Sequence, residues 1–287
     1  MSIALQVALV MVTILVVLLV IGAPIGVAIG MSSAVSMICM IPADVSFATS
    51  AQRIFAGSNS FSLIAIPFFI LAGNIMNNGG IATRLVNCAK VISGRMPGAL
   101  AQSNVVANML FGAISGSGAA AAAAMGGTIG PLEEKEGYDK NYSTAVNVAS
   151  APVGMLIPPS NTMIVYSSVA GSVSIAALFM AGYIPGLLWG GAVMILAGIM
   201  AKKRGYQAEQ RVPVKVALKT FWQAIPSLLL IVIVIGGILG GIFTATEGSA
   251  IAVVYATVLS LIYKAFKIKD IQELFLKQLR QQASLHL

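Results

Sequence analysis

Apolar residues run almost unbroken over residues 3–22, and again over about 25–41, 60–76, 175–201, 224–243 and 246–265. These runs lack both the alternation of a half-buried strand and the polar face of a soluble helix. About 20 apolar residues at 1.5 Å rise cross a bilayer core, so the predicted element is the spanning helix. Gly22-Ala23-Pro24 separates the first two runs, because proline breaks a helix or starts the next. Asn77-Asn78-Gly79-Gly80 closes the third by turn chemistry. Residues 43–57 hold Asp44 and Arg53 and read as a loop or an interfacial helix. Residues 81–96 alternate apolar residues with Arg84, Lys90 and Arg95, which suits a helix lying in the interface.

Two stretches do not fit the plain pattern. From Met96-Pro97-Gly98 a mildly apolar helix is predicted to Ile114, followed by Ser115-Gly116-Ser117-Gly118, six alanines at 119–124, Gly130-Pro131 and the charged group at 133–136. Each half is short for a full crossing, so a re-entrant hairpin with a Ser/Gly tip is expected. A second helix starts near Lys140, is interrupted over 154–161 around Pro158-Pro159, and resumes to about Ala170. Backbone can leave a helix at membrane depth only where protein or a polar cavity satisfies it. Freed carbonyls and hydroxyls suit a hard cation such as sodium, and amides at a half-helix N-terminus suit an anion. Small residues also allow close helix packing, which is the preferred reading of the alanine run by itself. At Pro158-Pro159 the second proline removes another donor, so a binding site is preferred there to a simple kink.

Composition agrees with this picture. Of the 287 residues, 58% are hydrophobic and 9% charged, against about 25% charged in soluble domains. The net charge of +8 is placed at the ends of apolar runs, at Lys202, Lys203, Arg204, Arg211, Lys215 and Lys219 and again at Lys264, Lys267 and Lys269. Such clusters read as cytoplasmic anchors rather than a nucleic-acid face. Counting spans from them puts Arg84, Lys90 and Arg95 inside only if 97–136 is a hairpin, and sets the N-terminus on the periplasmic side. The first run lacks a basic leader and is followed by more spans, so it reads as a retained span. Cys39 and Cys88 read as free buried thiols, and the one histidine, His286, is near the end of the chain. Asn59, Asn74, Asn104, Asn108 and Asn147 are expected in hydrogen bonds between helices. Glu247, in Thr244-Ala245-Thr246-Glu247-Gly248, is expected to cap a helix. No acid, base or metal constellation supports an intramembrane enzyme, and no charge ring or carbonyl filter supports a channel.

Several segments carry a family resemblance. They are Phe61-Ser62-Leu63-Ile64-Ala65-Ile66-Pro67-Phe68-Phe69, Leu71-Ala72-Gly73, Gly79-Gly80-Ile81, Ile114-Ser115-Gly116-Ser117, Ile157-Pro158-Pro159-Ser160, and Leu178-Phe179-Met180-Ala181-Gly182 with Ile184-Pro185-Gly186. In this order and spacing they resemble the large membrane subunit of tripartite ATP-independent periplasmic (TRAP) transporters. The resemblance implies a sodium-driven elevator permease of the bacterial inner membrane. It also implies a small membrane subunit and a periplasmic binding protein that delivers an organic acid anion, a dicarboxylate or sugar acid. Carried over, sodium would be held by Ser115, Ser117, Gly154, Ile157 and Pro159, and the anion would be bordered by Ser117, Ser160 and Asn161; no other cofactor is implied.

Two departures are visible. Many members carry an acidic residue shortly after the hairpin tip, where this chain has Ala121. Members also continue into a second inverted half, whereas residues 277–287 no longer resemble the family, which suggests truncation or a frame change. The expected fold class is an all-α polytopic bundle with a re-entrant hairpin and a discontinuous helix. Residues 1–96 would be scaffold spans, 97–170 the transport-site elements, 171–265 further spans and 266–287 a polar tail. The expected function is a permease subunit, the alternative being a transport-incompetent membrane fragment of one.

Overall fold

The computed structural model describes residues 3–171, 173–206 and 213–265. The expectations for Arg211, Lys267, Lys269, His286 and the tail at 266–287 fall outside the described residues. Among the described residues the chain is all helix, with fourteen α-helices and one short 3-10 turn. Five helices are long and apolar enough to cross a membrane, or up to six if a bent pair at 140–170 counts as one span.

Residues up to Ser60 form one compact unit. Helix α1 (Ile3–Val20) buries none of its residues, as expected of a helix that is apolar all round and made for lipid. Helix α2 (Ile25–Ile38) turns Ala28, Ser32, Ala34 and Ser36 inward. Helix α3 (Ala43–Ser58) is tied to α2 by Ser46 Oγ donating to the Ala34 carbonyl at 2.7 Å. The expected second span, about 25–41, is therefore corrected. α2 has 14 residues, roughly 21 Å of helix, against a core about 30 Å thick. Because it stops at Ile38, Cys39 is exposed rather than buried; Cys88 is buried, and both are free thiols.

The second unit begins at Phe61. A 3-10 turn (Phe61–Ile64) leads into α4 (Ala65–Asn78), then α5 (Ile81–Ser93), α6 (Ala99–Ser115), α7 (Gly118–Thr128) and α8 (Gly130–Lys135). Next come α9 (Lys140–Ser150), α10 (Val153–Leu156), α11 (Asn161–Ala170), α12 (Ile175–Lys203), α13 (Val214–Leu239) and α14 (Ala245–Ile262). Helix α6 is the hub, with almost every residue from Ala99 to Ser115 buried, packed against α4, α5, α7, α9, α10 and α12. Phe69, Ile75, Leu85, Phe111, Met125, Ile129 and Leu230 join one apolar core.

Helix α5 has the predicted amphipathic pattern, and its apolar face packs on protein. Ile81, Leu85, Val86, Cys88 and Ala89 are buried against α6 and α13, because a neighbouring protein face satisfies the same stripe that lipid would. Helix α13 starts ten residues before the expected 224, taking Lys215 and Lys219 into its first turns. At the start of α14 the Thr244 hydroxyl accepts from Glu247 N–H, and a Glu247 carboxylate oxygen accepts from Thr244 N–H at 2.7 Å. This capping box bears out the reading of Glu247. Thr244→Ala should cost about 1 kcal/mol of stability, read as a lower unfolding temperature in detergent; an unchanged temperature would show that the cap contributes nothing.

Candidate functional site at the hairpin tip and the broken helix

The tip forms because Gly116 adopts φ +61°, a left-handed conformation that ends α6 at Ser115. Ser117 is then extended and caps α7, its hydroxyl accepting from Ala120 N–H at 3.3 Å. The chain doubles back at this point. Asn147 of α9 bonds to both arms: its carbonyl side-chain oxygen accepts from Asn108 Nδ2 at 3.0 Å, and its own Nδ2 donates to the Ala122 carbonyl at 2.9 Å. Asn108 precedes the tip and Ala122 follows it, so both arms lie against the same residue of α9. Asn108 Nδ2 also reaches Ser150 Oγ at 2.8 Å and Asn104 Oδ1 at 2.9 Å. The expectation of bonds across helices holds for Asn108 and Asn147, whereas the Asn104 bond stays within α6; such bonds average about 0.6 kcal/mol each in membranes.

The second helix breaks where the prolines predict. Its two halves, 140–156 and 161–170, meet at 47°. Residues 157–160 between them are all buried. The peptide bond between Pro158 and Pro159 is cis. Ser160 caps α11 by accepting from Met163 N–H at 3.4 Å while donating to the Met155 carbonyl.

The two interruptions touch. Asn161 N–H donates to the Gly116 carbonyl at 3.2 Å, and Asn161 Nδ2 reaches the Ser115 carbonyl at 3.5 Å. A Cβ added at Gly116 would stand 3.1 Å from the Pro159 carbonyl oxygen and 3.1 Å from Asn161 N. Ser115, Ser117, Pro159, Ser160 and Asn161 therefore gather around one junction. Gly154 is placed elsewhere on the contact, one helical turn down α6 from Gly116, where a Cβ would come 2.5 Å from Gly112 Cα. Ile157 packs with Ala113 and Val153 and against Gly186 of α12.

Helix ends of both signs meet at this junction. Helices α7 and α11 present their N-termini, which favour negative charge, while α6 and α10 end there with carbonyls, which favour positive charge. Ser115 and Ser160 are 1% and 0% exposed. Asn161 Oδ1 is buried with no hydrogen-bond partner, an unsatisfied acceptor in a site otherwise well paired. Sequence reasoning missed Gly112 entirely and left the closeness of the Asn108–Asn147–Ser150 group unspecified. The only local signal for Gly112 was its place one turn before Gly116.

Residues 12–287 match the family described as tripartite ATP-independent periplasmic transporter, DctM component. The match runs past residue 276, where the motif resemblance stops. A protein of Salmonella typhimurium described as uncharacterised is 51% identical over 85% of this chain and 56% of its own length. A C4-dicarboxylate TRAP transporter large permease protein of Rhodobacter capsulatus is 37% identical over 83% of this chain and 57% of its own. A sialic acid TRAP transporter large permease protein of Vibrio cholerae is 38% identical over 78% of this chain and 53% of its own. The chain spans about half the length of the curated relatives it matches. With the family match spanning nearly all of its residues, this chain belongs to the DctM component family of tripartite ATP-independent periplasmic transporters.

Proposed function

We propose that this chain is a multi-pass permease subunit of a bacterial inner-membrane transporter that couples sodium to the import of a small organic acid anion. Ser115, Ser117, Gly154, Ile157 and Pro159 are the sodium-side residues of the proposal, and Ser117, Ser160 and Asn161 the anion-side residues. Its proposed partners are a small membrane subunit and a periplasmic binding protein that delivers the anion. The observation that carries the reading is the meeting of the α7 and α11 N-termini beside the carbonyl ends of α6 and α10. The dicarboxylate and sialic acid named for two relatives are both carboxylates, which supports an organic acid as the substrate class. A sodium ion among the carbonyls offsets the anion's charge in a low-dielectric site, and each ion then favours the other. That mutual preference is the coupling. The hairpin enters and leaves by the same membrane face in this proposal, as the basic residues at its base suggest.

The test is uptake of labelled C4-dicarboxylate or sialic acid into proteoliposomes holding this chain and the partner subunits, with and without an inward sodium gradient. Uptake should require the gradient; uptake indifferent to sodium would sink the mechanism. Ser115→Ala should raise the sodium needed for half-maximal uptake roughly tenfold, about 1.4 kcal/mol, as befits one oxygen ligand.

A further inference from the structure

A cavity of about 390 Å³ opens away from the tip between α6, α8 and α9, lined among others by Asn104, Gly126, Pro131, Glu133, Lys140 and Ser143. Glu133 belongs to the charged group at 133–136, yet it is 1% exposed. Its place four residues after the fully buried Ile129 puts it on the same helical face, a signal that was present in the sequence. No Lys, Arg or His forms an ion pair with it among the described residues; the ion pair there joins Arg204 to Asp139 at 3.0 Å. Glu133 Oε1, Ser143 Oγ and Asn104 Nδ2 are all buried without a hydrogen-bond partner. Asn104 and Ser143 approach the carboxyl without closing well-formed bonds, and burial pushes the Glu133 carboxyl above the usual range.

A buried carboxylate with an unpartnered oxygen is costly unless a proton or a cation neutralises it. Helix α7 ends at the cavity, and Pro131 has no N–H to give to the carbonyl of Gly127. The other charged side chains lining the cavity are Glu134 and Lys140, which offset each other, so the net charge facing an occupant is that of Glu133 alone. Tyr138 is the other titratable group lining it. Three or more His, Cys, Asp or Glu side chains grouped as a transition-metal site would require are absent among the described residues. Hard oxygen donors and one net negative charge select an alkali cation. At about 30 Å³ per water, the volume admits the ion with part of its hydration shell.

We propose that the cavity between α6, α8 and α9 is a cation site separate from the hairpin tip, binding a partly hydrated sodium ion with the Glu133 carboxylate as its anionic ligand and the Ser143 hydroxyl as a neutral one. The site needs nothing from the tip reading and stands if that reading fails.

The experiment is direct binding of radioactive sodium to the purified full chain in detergent, for the parent, Glu133→Gln, Ser143→Ala and Ser115→Ala, each checked for a single symmetric peak on size exclusion. Glu133→Gln should lower the affinity of one sodium at least about tenfold, since changes even in the outer shell of a metal site cost 10–100-fold. Ser143→Ala should weaken the same sodium less, and Ser115→Ala should leave it in place. Unchanged binding in Glu133→Gln, or no saturable binding by the parent, would overturn the proposal. A Glu133→Gln protein that fails the size-exclusion check leaves the decision to Ser143→Ala, where unchanged affinity overturns it. Loss of binding in Ser115→Ala with full retention in Glu133→Gln would leave the tip reading standing and remove this one.

Discussion

Gly112→Val will separate the hairpin from the broken helix and destabilise the chain more than any other single change in the α6 hub. A Cβ at residue 112 would stand 2.2 Å from Gly154 Cα and 3.1 Å from Gly154 N. Those atoms are backbone, so no rotamer change relieves the overlap. Overpacking commonly costs 1–3 kcal/mol, and a backbone-to-backbone contact should fall at or beyond about 3. The neighbouring structure explains why it cannot simply move away: α10 is held on its other side, where Gly182 of α12 would place a Cβ 2.2 Å from the Leu156 carbonyl oxygen. Even Gly112→Ala should lower the unfolding temperature. Gly127→Ala in α7 is the matched control, because a Cβ there meets nothing within 4 Å, and alanine gains up to about 1 kcal/mol over glycine within a helix. Thermal unfolding in detergent, followed by loss of the monodisperse peak, checks both. If Gly112→Ala melts with the parent, the close approach does not hold the two elements together. Uptake should fall along with stability, since the Gly116 carbonyl would no longer reach Asn161 N–H.

Asn161→Asp should abolish anion uptake while leaving the fold intact, and it separates the two halves of the proposed site. The substitution is nearly isosteric. Its backbone N–H can still bond the Gly116 carbonyl at the observed 3.2 Å. What changes is Nδ2, which reaches the Ser115 carbonyl at 3.5 Å; it becomes an oxygen and forms a carboxylate with the buried, unpartnered Oδ1. A like charge about 4 Å from a bound anion costs about 4 kcal/mol at an effective dielectric of 20, close to a thousandfold in affinity. The same charge attracts sodium, so sodium affinity at the tip should rise as anion uptake disappears. Opposite shifts in the two measurements are the expected result. Preserved anion uptake would mean that the α11 N-terminus does not face the substrate, and a fall in both would point to a misfolded site. Asn161→Leu, which removes the amide without adding charge, should weaken uptake far less than the aspartate.

Sequence reading located the two interruptions because both are local chemistry. Gly116 can take a left-handed φ, serines cap helices, and consecutive prolines withhold N–H groups; none of this needs a distant partner. The same locality explains the capping box at Thr244 and Glu247, read correctly from four residues. Where the structure adds to or corrects the reading, the cause is competition between environments that look alike to an isolated helix. The stripe of α5 fits a bilayer interface or a protein face equally well, and the structure gives it the face of α6 and α13. The second apolar run looked long enough to span until the turn after Ile38 shortened it.

The sequence by itself determined that this chain is a polytopic helical membrane protein, where its spans are broken, and which serines border the breaks. Apolar run length, helix breakers and caps are properties of neighbouring residues, so one dimension suffices to read them. Only the tertiary structure decided that Gly112 and Gly154 meet backbone to backbone and that one asparagine, Asn147, holds both arms of the hairpin. It also decided that Glu133, drawn from a run of charges, is buried beside a cavity. These outcomes depend on which faces of helices distant in sequence come into contact. That choice is made by close packing and by the need to satisfy buried polar groups, and the helical period of each segment does not encode it.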